Sequence, residues 1–250
     1  MTSSEFGASV RDEIKARSPD ERIALIYIHG FQTTFVEAVQ RAAGIGYQLK
    51  VPMTALYSWP SKGKIADYVA DYNAALDASD DLARFLIKFS RESKASRVHI
   101  IAHSMGNFAL LQAMYRPVMQ EAKRNGLKFG QIILAAADVD SGVFMKDAHV
   151  YTEMAERVTL YASSSDIALK ASIELSKFPR AGLLPPVTVH KSIDTIDVSD
   201  VNLTLLGHAY LSGEIAVLED MNKLIRFNQP PGSRTRVWPA SGSSKYWVMK

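Results

Sequence analysis

The stretch Val98-His99-Ile100-Ile101-Ala102-His103-Ser104-Met105-Gly106-Asn107 constrains this chain more than any other. An apolar, β-branched run leads into a serine set between small residues, and then into a helical pattern. That is the layout of a nucleophile elbow, a sharp strand-to-helix turn that lifts a serine hydroxyl over the edge of a sheet. The usual pattern is G-x-S-x-G, and Ala102 stands in place of the first glycine. Alanine is the next smallest side chain, so the turn is expected to close, with slightly more crowding against the neighbouring strand.

The surrounding elements alternate as such a turn requires. Residues 23–28 form a nearly pure apolar run ending at His29-Gly30, as expected of a strand covered on both faces. A helix is expected over 34–49 from the spacing of Phe35, Val39, Ala42 and Ala43, and a strand over 53–59, closed by Pro60-Ser61. Over 73–89, Leu76, Leu82, Phe85, Leu86 and Phe89 fall on one helical face. The elbow strand and a helix over 105–115 follow. After Asn125-Gly126 come a strand over 131–136, a loop with Asp138 and Asp140, and a strand over 158–162 ending in Ser163-Ser164-Ser165-Asp166. A helix over 168–178 stops at Pro179. Then come a β-rich stretch over 187–197, a loop carrying Gly207-His208 and a last helix over 213–227.

Strands alternating with helices predict an α/β fold: a mostly parallel central sheet flanked by helices on both faces. At 250 residues the chain can bury one large sheet, and we place a single domain at 22–227. Residues 1–21 read as an N-terminal extension. Residues 228–250, with Pro230-Pro231-Gly232-Ser233, read as an extended or partly disordered tail without a catalytic role.

Composition narrows the chemistry. The net charge of +3 is small and scattered, with no Lys/Arg run, which argues against a nucleic-acid partner. There is no cysteine, so disulfides, thiolate metal sites and cysteine catalysis are excluded; this suits a reducing cytosol or a disulfide-free secreted protein equally. The six histidines show no HExxH-like spacing, so no metal is expected and no cofactor is required. No apolar run approaches the ~20 residues of a membrane span, and the first residues are polar and charged, without the apolar region of a signal peptide. Membrane contact is expected only through an anchor upstream of this sequence, and no oligomeric state follows from it.

His29-Gly30-Phe31, Tyr57-Ser58-Trp59-Pro60-Ser61, the elbow from Ala102 to Gly106, and Gly207-His208, in this order of elements, resemble the bacterial DUF900 branch of the α/β-hydrolase superfamily. The resemblance runs from about residue 22 to 227 and implies an α/β-hydrolase fold with a minimal cap. Most members of that branch have no assigned physiological substrate, so it implies a reaction type without a metabolite. The fold usually opens with an antiparallel strand pair, and the residues before Ile23 leave little room for one.

The resemblance implies a serine esterase acting on a small-molecule ester. In superfamily order the nucleophile, the acid and the histidine follow one another, and Ser104, Asp166 and His208 fall in that order, each after a predicted strand. Ser104 needs a base because an unassisted hydroxyl is a weak nucleophile. His208, between Gly207 and Ala209, is the choice; Asp166 would hold its tautomer and stabilise the imidazolium. Asp138 is the alternative acid, at a position some superfamily lipases use, and Asp140 is a weaker one. The oxyanion needs two fixed N–H donors, expected from the Phe31 and Met105 main chain. Gly30 permits close approach, Gln32 could assist, and His103 is expected in the pocket wall. His99, His149 and His190 are read as structural.

Trp59, Tyr57 and Phe144 could line a substrate pocket, although aromatics at strand ends are more often core. The segment from Ala171 to Pro186 could form a small flap, and a thinly covered site suits short acyl chains. Rival readings are a thioesterase, an amidase or a surface-acting lipase of the same fold, and a non-catalytic binding protein on it. Survival of the serine, histidine and aspartate together favours catalysis.

Overall fold

The structure, a computed structural model, describes residues 3–62, 64–201, 212–242 and 245–250. Its strands are β1 (Ile23–Ile28), β2 (Met53–Tyr57), β3 (Arg97–His103), β4 (Phe129–Ala135), β5 (Ala155–Ala162), β6 (Asp194–Asp197), β7 (Val237–Pro239) and β8 (Trp247–Met249). Among the described residues they form one sheet in the order β2-β1-β3-β4-β5-β6-β8-β7. Every neighbouring pair is parallel except β7 with β8.

The helices are α1 (Ser3–Lys15), α2 (Phe35–Gln48), α3 (Tyr68–Asp77), α4 (Ser79–Glu92), α5 (Gly106–Ala113), α6 (Met119–Asn125), α7 (Ser141–Asp147), α8 (His149–Met154), α9 (Ile167–Ser176) and α10 (Ser212–Phe227). Side chains alternate across a strand, and β1 uses both faces. Ala24, Ile26 and Ile28 pack in one core with Ile14, Leu86, Phe89 and Leu110, whereas Ile23, Leu25 and Tyr27 pack in a second with Ile45, Leu49, Val217 and Leu224. This two-sided burial is why the strand reads as an unbroken apolar run. No helix among the described residues is long and apolar enough to cross a membrane.

Four segments depart from the sequence expectation. The helix expected over 73–89 begins earlier and divides at Ala78, whose carbonyl accepts both the Leu82 N–H and the Tyr57 hydroxyl at 2.8 Å. The helix after the elbow ends at Ala113 and passes through a π-turn, Met114–Val118, into α6. Pro117 brings no N–H to that turn, and a proline inside a helix interrupts the ladder. Of 187–197 only Asp194–Asp197 is a strand; before it the chain turns, with Ile193 N–H on His190 O and Thr195 Oγ1 on Thr188 O.

The segment from 228 onward is the clearest difference. It carries β7 and β8, with Ile196 opposite Trp247 on β6 and with Val237 and Met249 buried in the second core. The Pro/Gly/Ser content that suggested an open tail supplies only the turns; the apolar residues between them supply the edge strands. At the other end, the residues before β1 form α1, whose Val10 and Ile14 are buried in the first core.

Candidate active site

The parallel strands end together, so the loops after β1, β3, β4 and β5 meet at one edge of the sheet, where open α/β sheets bind their ligands. Ser104 follows β3 directly at φ +49°, in the left-handed region. A non-glycine residue there carries strain of about 1–3 kcal/mol and persists only where its surroundings hold it. Here they do. Ser104 N–H donates to Ala135 O at 3.0 Å, and Ser104 O accepts the amides of Asn107 at 3.0 Å and Asp138 at 3.2 Å. The buried Asn107 Nδ2 bridges the same turn, lying 3.0–3.2 Å from the carbonyls of Ser104, Ala102 and Ala135.

The elbow closes with alanine at its first position: Ala102 is fully buried and in register with Ile28 and Leu134. Gly106 cannot vary in the same way. A Cβ on Gly106 would lie 2.5 Å from His29 O and 2.9 Å from Ile28 O, both backbone atoms. Gly30 approaches the elbow from β1, and a Cβ there would lie 2.7 Å from Ser104 Cβ and 2.8 Å from His103 Nδ1. Gly30 thus packs directly against Ser104 and His103.

Among the described residues, neither the Phe31 amide nor the Met105 amide donates to any acceptor. The Phe31 ring is half-buried and meets Tyr68 edge-on, with centroids 5.3 Å apart. Gln32 is exposed at φ +53°. His103 lies against Gly30 with its Nδ1 buried and unpartnered, and burial pushes its pKa down to about 3. Burial thus favours its neutral ring.

The loop after β1 is set by His29 and Trp59. Trp59 donates its backbone N–H to His29 Nε2 at 3.2 Å and its indole N–H to His29 O at 2.8 Å, and the two rings stack 5.1 Å apart. His29 is fully buried, and burial lowers its pKa. Trp59 at 2% exposure and Phe144 at 1% are core residues, while half-buried Tyr57 turns its hydroxyl to Ala78 O, so these three pack the fold instead of lining an open pocket.

The two candidate acids differ in kind. Asp138 is 3% exposed, with Arg180 Nε 3.2 Å from its Oδ1, Ser172 Oγ at 2.6 Å and the Tyr68 hydroxyl at 3.1 Å from Oδ2. Burial raises its pKa, opposed by Arg180 and the two hydroxyls. Asp166 is half-buried and caps α9, accepting the Leu169 N–H at 2.9 Å; burial raises its pKa, opposed by the Leu169 and Ala168 amides. Its loop is tied to the chain leaving β6: Ser164 N–H donates to Ser199 Oγ at 2.8 Å, and Val198 N–H donates to Ala162 O at 2.9 Å. Asp140 caps α7 through the Val143 amide. His208, with Gly207, lies outside the described residues.

The strap 179–184 was expected as part of a flap. It is instead sewn into the sheet edge: Ala181 N–H to Val139 O, Gly182 N–H to Ala137 O, Ser163 N–H to Gly182 O and Leu184 N–H to Ser163 O. Sequence reading missed Arg180, Tyr68 and Ser172 as partners of Asp138, and His29 as more than a neighbour of Gly30. His99 is a core residue, fully buried and accepting the Gln131 N–H at Nδ1.

Known proteins are similar to this chain in sequence over a segment or in fold. "Uncharacterized protein alr1448" of Nostoc sp. (strain PCC 7120 / SAG 25.82 / UTEX 2576) is 35% identical over 65 residues, which span 26% of this chain and only 17% of that protein. An uncharacterized protein from Bacillus cereus ATCC 10987 superposes with a TM-score of 0.52 at 12% identity, over 85% of this chain and 62% of that one. The esterase domain of a Rhodothermus marinus protein matches 83% of this chain and 87% of its own, with a TM-score of 0.45 and 15% identity. Identities this low speak to fold alone. The family itself is set by a match over residues 3–226: the chain belongs to DUF900, an alpha/beta hydrolase family of unknown function.

Proposed function

We propose that this protein is a serine hydrolase that cleaves carboxylic esters, with a preference for short acyl chains, through an acyl-enzyme intermediate. The observation that carries the reading is the placement of Ser104: at φ +49° on the edge of the sheet, against Gly30, with the amides of Phe31 and Met105, which meet no acceptor among the described residues, on the two adjoining loops.

Ser104 is the nucleophile. Its Oγ forms a bond to the ester carbonyl carbon while its proton passes to the imidazole of His208. The carbonyl oxygen takes the negative charge and accepts the N–H groups of Phe31 and Met105, the electrostatic contribution that dominates such steps. Collapse of the tetrahedral adduct breaks the carbon–oxygen bond to the alcohol, which leaves with the proton from the imidazolium. Water then repeats the sequence on the acyl-enzyme and releases the acid.

Asp166 is the acid that orients the imidazole. Its loop is hydrogen-bonded to the chain leaving β6, through Ser164 N–H to Ser199 Oγ and Val198 N–H to Ala162 O. Asp138 is already committed to Arg180, Ser172 and Tyr68. Gly30, Gln32 and His103 form the nearest substrate surround.

The test is fluorophosphonate labelling of wild type and Ser104→Ala, read by intact mass, alongside p-nitrophenyl acetate hydrolysis. One adduct on wild type alone, with turnover lost in the variant, is expected. A folded wild type that takes no adduct defeats the reading.

A further inference from the structure

We infer that His29 is a positioning residue that aims the Phe31 N–H at the oxyanion by holding the Gly30–Phe31 peptide by its other end. This rests on the reading of Phe31 as an oxyanion donor and names what orients it.

The argument begins with the tautomer. The Trp59 backbone N–H lies 3.2 Å from His29 Nε2, and an N–H can only donate, so Nε2 carries the lone pair. The Ser58 hydroxyl, 3.1 Å from the same nitrogen, is then a second donor to it. The proton of the neutral ring must sit on Nδ1, and Nδ1 lies 2.9 Å from Gly30 O. His29 therefore donates to the carbonyl of its own successor. The protonated ring is incompatible with this set, because two N–H groups would face each other at Nε2.

A trans peptide is planar, with its C=O and N–H pointing in opposite directions. Drawing Gly30 O onto a fully buried ring turns the Phe31 N–H the opposite way, away from that ring, in a loop whose Gly30 packs against Ser104. The ring is held on both nitrogens and on one face. It stacks on Trp59 with an interplanar angle of 11°, and the Trp59 indole N–H holds the His29 carbonyl at 2.8 Å. Gly30 has no side chain to resist either peptide orientation, so the direction of this donor is set from outside the peptide, by the imidazole.

The two amide replacements separate this role from packing. In His29→Asn the side-chain Nδ2 replaces Nδ1 and can still donate to Gly30 O. In His29→Gln the terminal amide replaces Nε2 and can accept from Trp59 but leaves Gly30 O unheld. Both lose the ring. We expect His29→Gln to lose about 10²-fold in kcat on p-nitrophenyl acetate, the size seen when an oxyanion donor is removed, with KM little changed. The Ki of trifluoroacetophenone, which forms a tetrahedral adduct on the serine, should rise with it. His29→Asn should stay within about tenfold of wild type, the scale of one net hydrogen bond.

Equal losses in the two variants, tracking their melting temperatures, would reduce His29 to a structural residue, as would an unaffected His29→Gln. Should neither variant fold, Trp59→Phe carries the test: it keeps a stacked ring and loses the indole donor, and kcat should fall about fivefold at constant KM. A drop in melting temperature alone would overturn the proposal. Labelling and turnover of wild type are measured in parallel. If wild type is inert, the hydrolase reading fails and this inference with it; if wild type is active, only the inference is at stake.

Discussion

Arg180 meets Asp138 at 3.2 Å, Nε to Oδ1, with the two side chains only 5% and 3% exposed. The pair joins the strap 179–184 to the loop after β4, whose Asp138 amide holds the Ser104 carbonyl. Removing one partner of a buried pair leaves an uncompensated charge and typically costs about 3–5 kcal/mol, whereas removing both charges is far milder. Arg180→Met and Asp138→Asn are each expected to lose stability on that scale, and the double variant to recover most of it. Urea unfolding of the four proteins checks the cycle, and additive losses would show that the two residues act separately.

The acids are distinguished by which property each variant loses. Asp166→Asn keeps a residue that caps α9 as well as aspartate does, so its stability should change little. Its kcat should fall by about 10²–10⁴, because an asparagine cannot hold the histidine in the required tautomer. Asp138→Asn should show the reverse: a lower melting temperature and a kcat per folded molecule within about tenfold of wild type. The kinetics of both variants, scaled to active-site titre by fluorophosphonate, decide the matter. A larger kcat loss in Asp138→Asn would exchange the roles.

The elbow and the alternation of strands and helices around it are legible in the sequence because each depends on neighbours along the chain: an apolar run, a serine between small residues, a glycine after the turn. What was not legible depends on partners far away in sequence. Tyr68 and Ser172 reach Asp138 across 70 and 34 residues. His29 owes its orientation to Trp59, 30 residues on. No periodicity marks such pairs. Trp59 looked available for a pocket because aromatic content says nothing about which ring it stacks on. The leucines of 171–186 suggested a cover, yet Gly182, whose added Cβ would lie 2.2 Å from Ala137 N, seats the strap directly on the backbone beneath it.

The glycines give a sharp contrast on that basis. Gly182→Ala and Gly106→Ala each press a Cβ into backbone atoms that cannot retreat, and each should cost about 1–3 kcal/mol or more. Gly44 lies inside α2 with nothing within 4 Å of an added Cβ. Gly44→Ala should stabilise the protein by about 0.5–1 kcal/mol, the helix-interior difference between the two residues. Chemical denaturation of the three variants measures all of this, and a destabilised Gly44→Ala would contradict the open surroundings.

Acid should weaken this fold partly through His99. Its ring is fully buried in β3, accepts the Gln131 N–H at 2.9 Å, and is pushed by burial from the ordinary 6.5 down to about 3. A folded-state pKa below the unfolded one means that the unfolded chain binds the extra proton first as pH falls. The stability contributed by the neutral ring is therefore intact above pH 6.5 and is lost progressively between 6.5 and about 3. The slope for one group is about 1.4 kcal/mol per pH unit within that window. His99→Asn keeps an acceptor near the Gln131 N–H and removes the titration. It should be less stable than wild type at pH 7.5, from lost packing, and the gap should narrow steadily as urea midpoints are followed down to pH 4.5. A gap that stays constant across that range would mean that His99 does not titrate differently on unfolding.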